Sequence, residues 1–398
     1  MTNKEIVNKT EAFVAGTYGR YPVAMVKGKG AKLWDADGKE YLDFVSGLAV
    51  CNLGHCHEKV TQAIKEQAEK LVHVSNLYHI PEQSKLAELL VQNSFADKVF
   101  FCNSGAEANE AAIKLARRYS YDNLGAGRNE IITTTQSFHG RTMATITATG
   151  QEKFSKGFEP LLPGFKHVPF NDLKALEAAI DDKICAVMVE PVQGEGGVNV
   201  PSQDYFKGVR ELCNKKNVLL ILDEVQVGMG RTGKLFAYEN YGMEPDIMSL
   251  AKGIAGGMAM GAMLAKENMA KSFVPGTHAS TFGGNPLASA AAIAALETTL
   301  EEGILENCTN MGEVLEGELL KLKDKYPYIK EVRGKGLIYG MELHREGAEI
   351  VNKALSEGLL INCAAGTVLR FLPPLIIKEE EIKQMISILD NVLEEVNP

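Results

Sequence analysis

Basic charge is in short supply: 42 Lys and Arg face 51 Asp and Glu in 398 residues, for a formal net charge of -9 at pH 7. A surface of that sign does not wrap a polyphosphate backbone, so nucleic acid is excluded as an electrostatic partner. Long apolar runs are also missing. The least polar stretch, Gly253 to Ala265, stops at Lys266, short of the roughly 20 residues that cross a bilayer. Met1 to Glu11 is polar, with no apolar region of a secretory signal behind it. No membrane partner is expected, and a cytoplasmic location is.

The seven cysteines are odd in number, form no C-x-x-C pair, and in several cases sit inside apolar runs such as Ile184-Cys185-Ala186-Val187. They read as buried thiols in a reducing compartment. His55-Cys56-His57 lacks a second Cys/His cluster to complete about four ligands, so no metal is expected and a turn after Gly54 is. Low-complexity linkers and internal repeats are absent too.

What remains is an ordinary globular composition, 45% hydrophobic and 23% charged, long enough for about two to three domains. Pro22 to Val45 alternates around Asp37-Gly38, which predicts an antiparallel hairpin. From about residue 60, amphipathic stretches (Val60 to Leu71, Glu82 to Gln92, Glu107 to Tyr119, Tyr205 to Lys215) alternate with short apolar runs. Those runs are Lys98 to Cys102, Glu130 to Thr134, Cys185 to Val189, Val218 to Leu222 and Asp246 to Leu250. Such alternation predicts an α/β fold with a mostly parallel sheet covered by helices. An Ala-rich helix, Pro286 to Glu302, closes this block. Beyond it, helices (Leu305 to Lys323, Ala348 to Glu357, Glu379 to Glu395) mix with strands (Val332 to Leu343, Val368 to Phe371) in a smaller α+β unit. The expected division is 1–55 as an N-terminal part of the small domain, 56–303 as the large domain and 304–398 as the C-terminal small domain.

Four segments could carry chemistry. Cys102-Asn103-Ser104-Gly105-Ala106-Glu107 leads a strand into a helix, with Ser104 and Glu107 spaced as a capping box. The free N–H groups of that first turn suit a phosphate or another anion. Val218 to Leu222 ends in Asp223-Glu224-Val225-Gln226, an acid at the edge where open sheets bind ligands. That acid could serve an ATPase, but no Gly-Lys pair here precedes Ser or Thr; it could instead hold a pyridine nitrogen protonated. Lys252 follows the strand Asp246 to Leu250 among apolar and tiny residues, a setting that desolvates an amine, lowers its pKa and favours imine chemistry. Ser137-Phe138-His139-Gly140-Arg141-Thr142 offers an aromatic face and a guanidinium whose planar fork suits a carboxylate. Gly228-Met229-Gly230-Arg231-Thr232-Gly233 matches a dinucleotide fingerprint, which raises a nicotinamide-dependent dehydrogenase as an alternative. Its context, five residues from the strand and with no long helix after it, reads better as a flexible active-site loop.

Taken in order, Asn103 to Ala108, Phe138 to Thr142, Glu190-Pro191-Val192-Gln193-Gly194-Glu195-Gly196-Gly197, Asp223 to Gln226, Lys252 and Thr277 to Pro286 resemble the class III pyridoxal-phosphate (PLP) aminotransferases. The resemblance runs from Tyr18-Gly19-Arg20-Tyr21-Pro22 to Arg370-Phe371-Leu372-Pro373-Pro374, and is greatest to the acetylornithine branch of that family. It implies a fold-type I PLP-dependent transferase of the aspartate-aminotransferase-like class, with a seven-stranded-type sheet in its large domain. It implies that Lys252 carries the cofactor and shuttles the proton, and that Asp223 binds the pyridine nitrogen and Gln226 the ring hydroxyl. Phe138 would stack on the ring, Ser104, Gly105 and Ala106 would hold the phosphate, and Glu224 and Val225 would lie beside the cofactor. Ser280 and Thr281 would come from the partner subunit of a homodimer whose active site lies at the interface. Arg141 and Tyr18 would contact the substrate. Arg370 would take the second carboxylate of glutamate and be masked by Glu195 for a neutral acylamino substrate. Ser46 to Val50 lacks the tyrosine of ornithine δ-aminotransferases, leaving apolar room for an acyl end. Succinylornithine, succinyl-diaminopimelate, acetyl-lysine, ornithine and 4-aminobutyrate need the same Lys252, Asp223 and Arg141, so those residues do not choose among donors.

Overall fold

The structure is a computed structural model that describes residues 1–396. Its centre is a seven-stranded sheet in the order Lys98–Cys102, Gly261–Ala265, Ile247–Leu250, Leu219–Asp223, Ile184–Val189, Glu130–Thr134, Phe165–Val168. Gly261–Ala265 runs antiparallel to both neighbours and the other six strands share one direction. The sheet is the mostly parallel one expected from the sequence. Its central strands are buried on both faces, which is why they read as continuous apolar runs. Gly261–Ala265 is fully buried as well, and a strand of Gly, Ala, Met and Leu with no polar face gives no period-two signal, so the sequence did not reveal it.

Two smaller sheets flank this one. The N-terminal alternation forms three strands, Met25–Lys29, Lys32–Asp35 and Glu40–Asp43, rather than one hairpin, because a second reversal falls at Gly30-Ala31. Leu359–Leu360 joins them in parallel, tying the N-terminal segment to the C-terminal region. Val332 to Leu343 is likewise two strands, Ile329–Lys335 and Ile338–Leu343, reversing at Gly336 with φ +58°. Helix Pro286–Glu301 is apolar all round and serves two cores. Ala288, Ala292 and Leu296 pack with the large sheet, while Ala291 and Ala295 pack with the cluster of Leu315, Leu369 and Leu389. No described helix is long and apolar enough to cross a membrane.

His55 leaves the turn after Gly54 to pair with Asp43, Nε2 to Oδ2 at 2.7 Å. The other oxygen of Asp43 accepts from the N–H groups of Val45 and Ser46, and so anchors a turn in which Ser46, Leu48 and Ala49 all have positive φ. Burial alone would lower the pKa of His55, but hydrogen bonds to Asp43 and Cys51 overrule it and raise the pKa to about 10. The partner exists only in the folded chain, so this contribution to stability is complete below the unfolded pKa of roughly 6.5 and fades as pH rises through about 10. His55→Gln is expected to lower the thermal midpoint clearly at pH 6 and progressively less toward pH 10. A pH-independent difference would mean that the imidazolium charge plays no part.

Candidate active site

Asn103 to Ala108, Phe138 to Thr142, Glu190 to Gly197, Asp223 to Gln226 and Lys252 all lie at or follow the C-terminal edges of the like-directed strands, where open α/β sheets bind ligands. A cavity of about 450 Å³ opens there, lined by Ser104, Gly105, Ala106, Phe138, Arg141, Glu190, Glu195, Asp223, Val225, Gln226 and Lys252.

Lys252 begins a short turn after strand Ile247–Leu250 and has φ +47°, a conformation costing a non-glycine residue of order 1–3 kcal/mol and typical of functional sites. Burial lowers the pKa of its amine, partly opposed by Glu195 and Asp223. Asp223 ends its strand with its carboxylate firmly held. Oδ2 accepts from Asn109 Nδ2 at 2.7 Å and is paired with His139 Nδ1 at 2.8 Å, and Oδ1 accepts from the N–H of Val225 at 3.0 Å. Asn109 is itself fixed by the Ser249 hydroxyl and the His139 carbonyl. Sequence reasoning assigned no role to Asn109, Ser249 or His139. The available signal was an asparagine on the buried, alanine-rich face of helix Gly105–Asn123, where a polar side chain needs a partner.

That helix starts against Val225: a Cβ on Gly105 would lie 2.6 Å from Val225 Cγ1. The Ser104 hydroxyl accepts from the N–H of Glu107 at 3.2 Å. The Glu107 carboxylate reaches past Ser104 to the N–H of Asn103, at 2.8 Å, so the capping box closes one residue earlier than the spacing implies. The first-turn N–H groups, which an α-helix leaves without intrahelical partners, lie along the cavity at Gly105 and Ala106.

The Phe138 N–H donates to Glu190 Oε1 at 2.9 Å. Its ring meets that of Phe154 edge-on, and the Arg141 guanidinium lies 3.9 Å from the centre of the Phe154 ring. Phe154 was not visible as a site residue from sequence, because nothing in Glu152-Lys153-Phe154 announces a stacking partner thirteen positions away.

Glu195 and Arg370 form an ion pair, Oε1 to Nη1 at 2.7 Å, with Arg370 only 1% exposed. Gln226 bridges them, donating to Glu195 at 3.2 Å and accepting from Arg370 at 3.3 Å. Burial would raise the pKa of Glu195, but Arg370 and Lys252 outweigh it and hold the carboxyl at about 2. A Cβ on Gly194 would overlap the Gln226 side-chain oxygen, so glycine lets the Glu195 segment lie this close.

Other expected residues lie elsewhere. Glu224 turns away from the cavity to accept from the N–H groups of Ala237 and Tyr238, and burial pushes its pKa up to about 8. It caps a buried turn rather than lining the cavity. Tyr18 is 71% exposed and lines a separate cavity of about 1330 Å³ beneath the N-terminal segment. Thr281 is exposed and Ser280 half-buried; Ser280 Oγ accepts from Asn103 Nδ2 at 3.2 Å, near the helix start. The Gly228 to Gly233 loop is buried, and Arg231 hydrogen-bonds Leu337 O, Pro373 O and Asn52 Oδ1. It clasps three segments together and is not the flexible active-site loop expected. No group of three or more potential metal ligands occurs among the described residues.

The family model described as "Aminotransferase class-III" matches residues 13–393. An acetylornithine aminotransferase of Caldanaerobacter subterraneus subsp. tengcongensis is 54% identical over 98% of this chain and 100% of its own length. One from Methanocaldococcus jannaschii is 53% identical over the whole of both chains. Among solved structures, an ornithine aminotransferase of Toxoplasma gondii with PLP at partial occupancy in its active site superposes with a TM-score of 0.95. It is 35% identical and covers 99% of this chain and 95% of that one. The buried lysine, the anchored aspartate and the helix N-terminus thus occur in a chain that belongs to the class-III aminotransferase family.

Proposed function

We propose that the chain uses PLP to transfer the terminal amino group of N2-acetyl-L-ornithine to 2-oxoglutarate, giving N-acetyl-L-glutamate 5-semialdehyde and L-glutamate, a step of arginine biosynthesis. The observation that carries this reading is a buried lysine that lines the cavity together with Glu195, whose carboxylate masks the buried Arg370 behind it. The residues fit the cofactor: the N–H groups at Gly105 and Ala106 suit its phosphate, and the lone pairs of Asp223 left toward the cavity suit a ring N–H. Phe138 offers a ring face, and Lys252 an amine of lowered basicity. Bound there, PLP supplies a protonated ring that draws electrons from the carbon bearing the transferred amine.

The chain's own groups do the rest. Lys252 Nζ would hold the cofactor and, once freed by the incoming amine, would take the proton from that carbon and pass it to the cofactor carbon to which the lysine had been joined. Acetylornithine has one carboxylate and glutamate two. Arg141 takes the one they share, and Arg370 takes the extra one when Glu195 swings aside. With the pair closed, the same pocket presents a neutral surface to the first substrate. Val50, at the end of the Ser46 to Val50 segment, gives the cavity an apolar side chain suited to an acyl end. Ser280, Thr281 and the exposed Phe282 suit an interface with a second copy of the chain, which would complete the site as a homodimer.

The test is the visible spectrum of the protein reconstituted with PLP, with N-acetylornithine, ornithine or 4-aminobutyrate added in parallel. N-acetylornithine is expected to convert the lysine-linked band fastest, and 2-oxoglutarate to restore it. Absence of the band would overturn the cofactor; faster conversion by another amine would overturn the substrate. Phe154→Ala removes the ring beneath Arg141, a cation–π contact worth about 1 kcal/mol. It is expected to raise KM for both substrates by roughly 5-fold with kcat nearly unchanged, as steady-state kinetics would show.

A further inference from the structure

Strands Ile184–Val189 and Leu219–Asp223 run parallel with Val189 opposite Leu222, so the next residues, Glu190 and Asp223, leave the sheet edge side by side. Both are buried, at 5% and 4% exposure, and both line the cavity. Two neighbouring carboxyls in a buried site do not both ionise readily; the one with fewer partners keeps its proton. The partners are unequal. Asp223 is engaged by His139, Asn109 and the Val225 N–H, whereas Glu190 receives the Phe138 N–H on Oε1.

The charged groups around Glu190 point the same way. Asp223 lies on the adjacent strand edge, and Glu195, kept ionised by Arg370, lies on the loop that follows. Lys252, from the next strand's turn, is the cation that faces it, and burial depresses the pKa of that amine. Burial first, and then the charge of Asp223, hold the Glu190 carboxyl well above its ordinary range.

We propose that Glu190 is a neutral carboxylic acid in the working protein, holding the Phe138 backbone through Oε1 and presenting its proton to the cavity from Oε2. It is a positioning residue: it fixes the segment carrying Phe138, and its neutrality leaves Asp223 as the anion at this edge. The consequence for a bound cofactor rests on the PLP reading above, but the protonation state does not.

The experiment is infrared difference spectroscopy of the cofactor-free protein at pH 7. The expected result is a protonated-carboxyl C=O band, shifted in D2O, that is lost in Glu190→Gln. Glu224 contributes a band of the same kind, so the difference between the two proteins is what is read. An unchanged band on substitution overturns the proposal. Should Glu190→Gln fail to fold, Asp223→Asn serves instead: without its charged neighbour, Glu190 should lose its proton about one pH unit lower or more, and an unmoved titration overturns the proposal. In the PLP-loaded protein, Glu190→Gln should leave the pH midpoint of the lysine-linked visible band in place. A displacement of about one unit or more would show that Glu190 carries charge. If the wild type forms no such band, the PLP reading falls while the infrared result still decides Glu190.

Discussion

Lys252→Ala is expected to lower transamination by at least about 10³-fold in single turnover with N-acetylornithine, while the protein remains folded and still takes up PLP. The magnitude follows from the two tasks assigned to one amine. General base catalysis alone is worth roughly 10² to 10⁴, and the loss of the covalent tether removes the exchange route as well. The folding expectation follows from the surroundings. Burial disfavours the charged form of this amine, and a buried amine costs free energy that an alanine methyl does not. The positive φ at this position strains alanine no more than lysine. The thermal midpoint of the cofactor-free variant is therefore expected at or above that of the parent. PLP should be held through the helix N-terminus and Asp223, show no lysine-linked band and leave on dialysis. Turnover at the parental rate would refute the role, and a collapse of the thermal midpoint would mark Lys252 as structural.

Much of this arrangement could be read from the residues because parallel strands advertise themselves. Leu219–Asp223 is apolar until its last residue, and the change from Leu222 to Asp223 marks the edge where the site lies. Lys252 stood out for the same reason, a single cation after a buried strand. What could not be read was anything held by one side chain far along the chain. Phe154 beneath Arg141 and Asn109 beneath Asp223 are joined by packing, which leaves no spacing rule. Glu224 misled for the opposite reason. It neighbours Asp223 in sequence, but successive side chains at a strand end point to opposite faces, so its carboxylate caps the turn at Ala237 and Tyr238. The glycine fingerprint misled because glycines also permit close packing. Arg231 sits wholly buried among carbonyls, a role that a pattern of glycines does not distinguish from the flexible loop expected there.

Arg370→Ala is expected to split the two half-reactions. Glutamate and 2-oxoglutarate should lose about 10²-fold in single-turnover efficiency, since a bidentate, charge-assisted contact to a carboxylate is worth roughly 2–3 kcal/mol. N-acetylornithine should lose less than about 10-fold, because it offers Arg370 no charge. Glu195 makes the asymmetry larger. Its pKa of about 2 depends on Arg370 and Lys252 working against burial, so without the arginine any remaining negative charge repels the second carboxylate and leaves the neutral acyl end untouched. Glu195→Ala should do the reverse, sparing glutamate while weakening N-acetylornithine, whose pocket would then hold an unmasked, buried cation. Gln226 bridges both partners and keeps the arginine oriented when Glu195 is gone. A fixed ion pair predicts something different: either substitution damages both half-reactions to the same extent, because each leaves one buried charge without its partner. Equal losses in both half-reactions for Arg370→Ala would therefore rule out the swinging carboxylate, whatever their size.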